Sequence, residues 1–445
     1  MASAWRNGWI LAILGIIVSA VSIWWWPGFA PPPISGTNPH TLYFLAAAAQ
    51  SLAAVLALVF TITLVVAQLS SRYSHRMLSD FFDPLTIGYF LVFVIATLFP
   101  LWLLGQEQLP LWTIRASLTM TAGVLLLLLP YFLGFRAKLD PTSVINRLKD
   151  RASKRIQGDR QKKPGEVATI DNFCMSAFVL KDYDTFGVGV QALGTIALEA
   201  SRDMKDAIGK EVFRRLMNIG LATIEDPLAP VRTIEALRDT GRKAVEQANE
   251  AAGGWSTFPI ANIGALAMAK SLEAQADRAV PSLFEVGMLA VENEMGFAVR
   301  TVAGLCLVAR TAIHQDTQTF EERIAKAAVS AAGDLISKAI QKGMKDEDTQ
   351  DMVRELGLVH QQAAKQQEYE VLHAAHRWLY IIGAWTTKKQ ASRTREAAKV
   401  ALKDFGGVDF GRGAFQRDYE EATEWLPTTE LSQALAEFRK ACYGD

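Results

Sequence analysis

The sequence predicts an all-α protein of two unlike parts, four transmembrane helices followed by a cytoplasmic α-helical domain built as an irregular solenoid of helical pairs. Three observations carry that expectation. Apolar runs crowd into the first 135 residues, amphipathic stretches at helical spacing fill the chain from Ile170 onward, and no run of alternating β-branched residues interrupts them. Of the 46 basic and 46 acidic residues, fourteen basic and seven acidic fall at or before Thr169. The neutral total therefore joins a basic membrane part to an acidic soluble part, and no nucleic-acid partner is expected. The three cysteines, Cys174, Cys306 and Cys442, are widely spaced and read as reduced cytoplasmic thiols.

The first span is expected over 9–26, closed by the interfacial Trp24, Trp25 and Trp26 and followed by a Pro- and Gly-rich connector without Lys or Arg. A signal peptide is the competing reading, and the prolines directly after Ala30 argue against it. The second span, over 42–69, is the longest. It has enough apolar residues to cross a core of about 30 Å at about 1.5 Å per residue. Along it Gln50, Ala54, Ala57, Thr61 and Gln68 recur at three, four or seven positions, a polar stripe that should face protein and not lipid. Two more spans, over 85–104 and 111–135, flank a short turn that also lacks Lys and Arg. Ten basic residues against three acidic ones follow between Arg136 and Lys163. The positive-inside rule then puts both termini in the cytoplasm, with 136–169 as a basic juxtamembrane linker.

Within the second span, the run Phe60-Thr61-Ile62-Thr63-Leu64 leading through Gln68, Leu69 and Ser71 to Tyr73-Ser74-His75-Arg76 resembles a motif of a bacterial membrane-protein family, domain of unknown function 2254. In that family a Phe-Ser-Ile-Thr-Leu-Val type run leads through Gln-Leu and serines to an aromatic-Ser-Pro-Arg turn. His75 stands in place of the family's proline, and the turn is about a residue shorter. The resemblance covers about residues 50–99; farther on, Asp226 and Pro227 are similar to the family's Asn-Asp-Pro turn. It implies a bacterial plasma membrane as the address. The family has no established activity, so it implies no mechanism.

The domain over 170–445 shows amphipathic stripes, Val190, Leu193, Ala197 and Ala200 in one segment and Val302, Leu305, Cys306, Ala309 and Ile313 in another. Thr319 with Glu322 predicts a capping box opening the helix of Ile324, Ala328, Ala331 and Leu335. Four segments share a leucine after a β-branched residue. Their anchors, Leu193, Leu237, Leu266 and Leu305, are unevenly spaced, so the repeat is read as irregular and a compact bundle stays open as the alternative.

No catalytic signature stands out, and neither an enzyme activity nor a cofactor is expected. His373 and His376 lie three apart near Glu368 and Glu370, but a zinc site needs more ligands, so hydrogen-bonded imidazoles are the preferred reading. The glycine-rich stretch 405–415 lacks the Lys-Ser/Thr pair of a phosphate loop and reads as a connector. The expected function is a membrane-tethered scaffold or sensor whose cytoplasmic helices dock a protein partner, with self-association through the Gln50 to Gln68 stripe. The rival is an oligomeric channel with Gln50, Thr61 and Gln68 around its axis, gated by the cytoplasmic domain.

Overall fold

A computed structural model describes residues 39–71, 84–106, 111–158, 165–313, 319–404 and 416–443. The expected first span, the motif's Ser74 and Arg76, and the 405–415 connector lie outside the described residues. Among the described residues there are seventeen helices and no strand. The chain divides into two compact units, 1–147 and 148–445.

The first unit holds α1 (Pro39–Ser71), α2 (Pro84–Leu104) and α3 (Leu111–Leu139), each covering one of the expected spans. Among the described residues only α1 is long and apolar enough to cross a membrane, over Leu42–Val65; α2 and α3 carry shorter apolar stretches, Phe90–Leu104 and Trp112–Leu128. Leu45, Ala49, Leu52, Val59 and Thr63 recur at helical spacing and form the buried side of α1. Leu52 packs with Phe93 and Ala96 of α2 and Val124 of α3. Outward, α1 exposes Leu58 and Phe60, α2 exposes Leu91, Ile95, Leu98, Leu101 and Trp102, and α3 exposes Trp112 and Leu125.

The segment 136–169, expected as a linker, is largely helical: α3 runs on to Leu139 and α4 spans Pro141–Gln157. The reason is local. Asp140 receives the Thr142 and Ser143 backbone N–H groups at 3.2 Å each, closing the N-terminus of α4. Val144, Ile145, Leu148, Ala152 and Ile156 then form a buried stripe opposite the basic face.

The second unit continues with α5 (Gly165–Val179), α6 (Tyr183–Arg202), α7 (Asp206–Ala222), α8 (Ala229–Glu246), α9 (Glu250–Ala269), α10 (Glu273–Glu292) and α11 (Ala298–Ile313). It ends with α12 (Thr319–Lys342), α13 (Asp346–Gln366), α14 (Tyr369–Lys389), α15 (Ser392–Lys403), α16 (Gln416–Trp425) and α17 (Thr429–Tyr443). Each helix from α5 to α14 packs on the next and on the one after it. This contact pattern describes two layers, even-numbered helices in one and odd-numbered in the other, stacked as helical pairs. The predicted stripes on α6, α11 and α12 lie in the core between the layers, Ala331 at its margin.

Tight turns set the spacing. At eight of them one residue takes the left-handed conformation, and the N–H after it bonds the carbonyl five residues back, as when Asp182 reaches Ala177 and Leu272 reaches Ala267. The left-handed residues Lys181, Met204, Ala248, Ser271 and Glu294 fall at multiples of about 22–23 positions, so a helical pair takes about 45 residues, within the range of two-helix repeats.

Candidate functional site

The residues singled out in α1 lie on two opposite faces. Positions two apart on a helix are turned about 200° from each other, so the Gln50 series cannot share a side with the Leu52 series. Gln50, Ala54, Ala57, Thr61 and Gln68 are all exposed, and Thr61 Oγ1 donates back to the Ala57 carbonyl at 2.8 Å. A buried polar pairing within the unit is made by Thr63, 2% exposed, whose hydroxyl meets Tyr131 Oη of α3 at 2.7 Å and the Val59 carbonyl at 2.7 Å. Of the remaining motif residues, Phe60 is exposed and meets Phe90 edge-on, Ile62 is half-buried, and Leu64 is exposed. Leu69 and Ser71 lie in the last turns of α1.

In the second unit, chemistry-bearing side chains mostly tie one repeat to the next. Asp226, in the Asp-Pro turn, accepts from Lys181 Nζ at 2.8 Å, from Tyr183 Oη at 2.7 Å, and from the Leu228 and Ala229 N–H groups at 3.0 Å each. Gln275 Nε2 of α10 then donates to the Ile224 and Asp226 carbonyls. Burial alone would raise the Asp226 carboxyl, but Lys181, the two N–H groups and Tyr183 outweigh it and hold the carboxyl far below the usual range. Ion pairs between like-layer helices repeat the pattern, Asp171 with Arg215 at 2.6 Å, Glu235 with Arg278 at 2.7 Å, Asp277 with Arg323 at 3.0 Å and Lys326 with Glu370 at 2.8 Å. These pairs are separated by 43 to 46 residues in the chain.

The two predicted histidines on α14 part company. His376 turns inward, where its Nδ1 lies 2.9 Å from His360 Nε2 of α13 and its ring stands edge-on to Tyr380. Both rings are buried, which pushes His360 down to about 4 and His376 well below its ordinary value, so both are neutral at pH 7. His373 lies half-buried and pairs with Asp418 of α16 at 2.8 Å. Among the described residues no group of three or more His, Cys, Asp or Glu could hold a metal. The thiols of Cys174 and Cys306 are pushed up by burial, and that of Cys442 to about 11, so all three are inert at neutral pH.

One surface was missed by sequence reasoning. Helix α9 carries a single charged residue, Glu250, among its twenty, and has no charged face. A helix of that kind is ordinarily enclosed. Here Phe258 is 61% exposed, and Trp255, half-buried, sits edge-on to Phe213 with Lys210 over its ring. The signal was available in Glu250–Ala269 as the absence of any charged face.

No protein-family model and no curated protein matches the chain. Among solved structures it is similar to a circular tandem repeat protein with novel repeat topology and enhanced subunit contact surfaces. The identity is 12%, with 97% of this chain and 96% of that chain covered and a TM-score of 0.31.

Proposed function

We propose that this chain is a multi-pass protein of a bacterial plasma membrane, with four spans and cytoplasmic termini, whose helical array docks a cytoplasmic protein partner without performing chemistry. The observation that carries the reading is the outward face of α9, where Trp255 and Phe258 offer the kind of aromatic anchor that concentrates binding energy. Tethering is supported by α1, because only 22% of its most apolar window is buried within the chain, unlike the core helix of a soluble protein. The similarity of the Phe60 to Arg76 motif to domain of unknown function 2254 supports the bacterial membrane address. In-cell crosslinking of the full-length chain tests the docking face. A captured protein should be lost with Phe258→Glu and kept with Arg354→Glu, a change on α13; retention in both would contradict the assignment.

A second reading, an oligomeric channel, is favoured by one observation. Gln50, Ala54, Ala57 and Thr61 point away from their own chain's buried face, as residues around a shared axis would.

A further inference from the structure

Helix α16 is held by charge where its neighbour is held by apolar burial. Of its ten residues only Asp418 and Ala422 are buried, whereas α17 buries Leu431, Ala434, Leu435, Phe438 and Cys442. The docking partner of α16 is α14. There both Asp418 carboxylate oxygens lie within 2.9 Å of His373 Nδ1, Arg377 pairs with Glu421 and covers the Trp425 ring, and Trp425 meets Trp378 edge-on. The Asp418 side chain is 2% exposed and that of His373 32%, so a proton reaches the imidazole from solvent while the carboxylate stays enclosed.

We propose that α16 is a pH-operated clasp on the array: charged His373 holds the enclosed Asp418 carboxylate, and loss of the imidazole proton releases α16 from α14. The groups around the pair are Glu370, His376 and Arg377 on α14, Arg417 and Glu421 on α16, Lys326 and Glu322 on α12, joined through Glu370, and Arg439 on α17, stacked over Tyr419. Arg377 is engaged by Glu421. Once His373 is neutral, its Nδ1 can offer the enclosed carboxylate only a neutral N–H, so the desolvation cost stays while the charge that offset it is gone. The Asp418 hydrogen bond raises the His373 value above that of an ordinary imidazole. A raised value means the clasp is at full strength below about pH 6.5 and loosens as pH rises through the folded value. Burial raises Asp418 in turn, so the carboxylate is neutralised at a higher pH than an ordinary aspartate, which sets the lower edge of the window.

The test is thiol labelling of the full chain carrying Ala422→Cys with Cys442→Ala, each rate divided by that of a free thiol at the same pH. The normalised rate should rise about tenfold between about pH 6 and about pH 9. It should stay low throughout with His373→Arg and high throughout with His373→Gln. A flat parent profile, or a His373→Arg profile that rises like the parent, overturns the proposal. Hydrogen exchange on the unsubstituted chain, corrected for intrinsic rates, guards against damage by the substitutions. Protection should fall over 416–425 and hold over 429–443; an equal fall in both, or none, also overturns it.

Discussion

The two units solve the same problem, burying apolar residues on helices, with opposite surfaces. In the first, Leu52, Phe93, Ala96 and Val124 form a small core while leucines, isoleucines and tryptophans of the same helices face outward. In the second, the core runs between two layers and the outer faces carry ion pairs from repeat to repeat, such as Arg323 with Glu273 and Asp277. A surface rich in leucine and tryptophan calls for an apolar cover, whereas a surface of paired charges is best hydrated. The difference teaches that two helical units with equally apolar cores can be told apart by the residues they leave uncovered, and it is the contrast on which the proposed tethering rests.

The largest effect that sharpens this contrast lies in the array's core. Leu193, fully buried on α6, should cost about 3 kcal/mol of array stability when changed to Ala, read as a lowered denaturation midpoint of the full chain in detergent. Next comes a pair of matched charges on the two surfaces. Leu98→Asp on α2, 56% exposed, should oppose membrane integration by about 3 kcal/mol and move protein out of the carbonate-resistant fraction. Leu358→Asp on α13, 43% exposed, should change stability by about 0.5 kcal/mol or less. Equal effects would erase the distinction between the surfaces.

Asp226→Ala should cost about 2 kcal/mol, because it removes the acceptor for two backbone N–H groups at the start of α8 as well as for Lys181 and Tyr183. The depressed carboxyl of Asp226 contributes stability above the unfolded value of about 3.9 and loses it as pH falls through the folded value. Asp226→Asn should accordingly flatten part of the acid limb of the unfolding curve. A curve of unchanged steepness would deny the carboxylate that role.

How much of this was legible in the sequence follows from the range of each interaction. The stripes Val190 to Ala200 and Val302 to Ile313 were legible because a helix's buried face repeats within a few residues. The repeat was legible as helical pairs but not in its regular period, because the leucine anchors mix layers: Leu193 and Leu237 belong to α6 and α8, Leu266 and Leu305 to α9 and α11. Its true markers are left-handed turn residues, of which Gly343 alone among the described residues is a glycine, and polar pairs about 45 positions apart. His373 and His376 were read as hydrogen-bonded imidazoles on one face, yet three positions on a helix separate them enough that one meets Asp418 and the other His360, partners no local pattern announces. In α1 the polar stripe was visible, but which face packs is decided by volume against α2 and α3, and Leu52 and Val59 win that side.

The smallest effects concern that stripe. Thr63→Val should lower detergent stability by about 1 kcal/mol through loss of the Tyr131 bond. Gln68→Leu should shift it by no more than about that, and the scaffold reading expects no protein-dependent ion flux from the parent in liposomes. A flux abolished by Gln68→Leu or Thr61→Val would promote the channel.

The most direct test of a membrane unit joined to a cytoplasmic array is labelling of intact cells with an impermeant thiol reagent, since the native cysteines Cys174, Cys306 and Cys442 are buried. With Thr37→Cys the chain should react from outside, and with Gln161→Cys only after lysis. Reversed labelling, or recovery of the chain in the soluble fraction, would contradict the account.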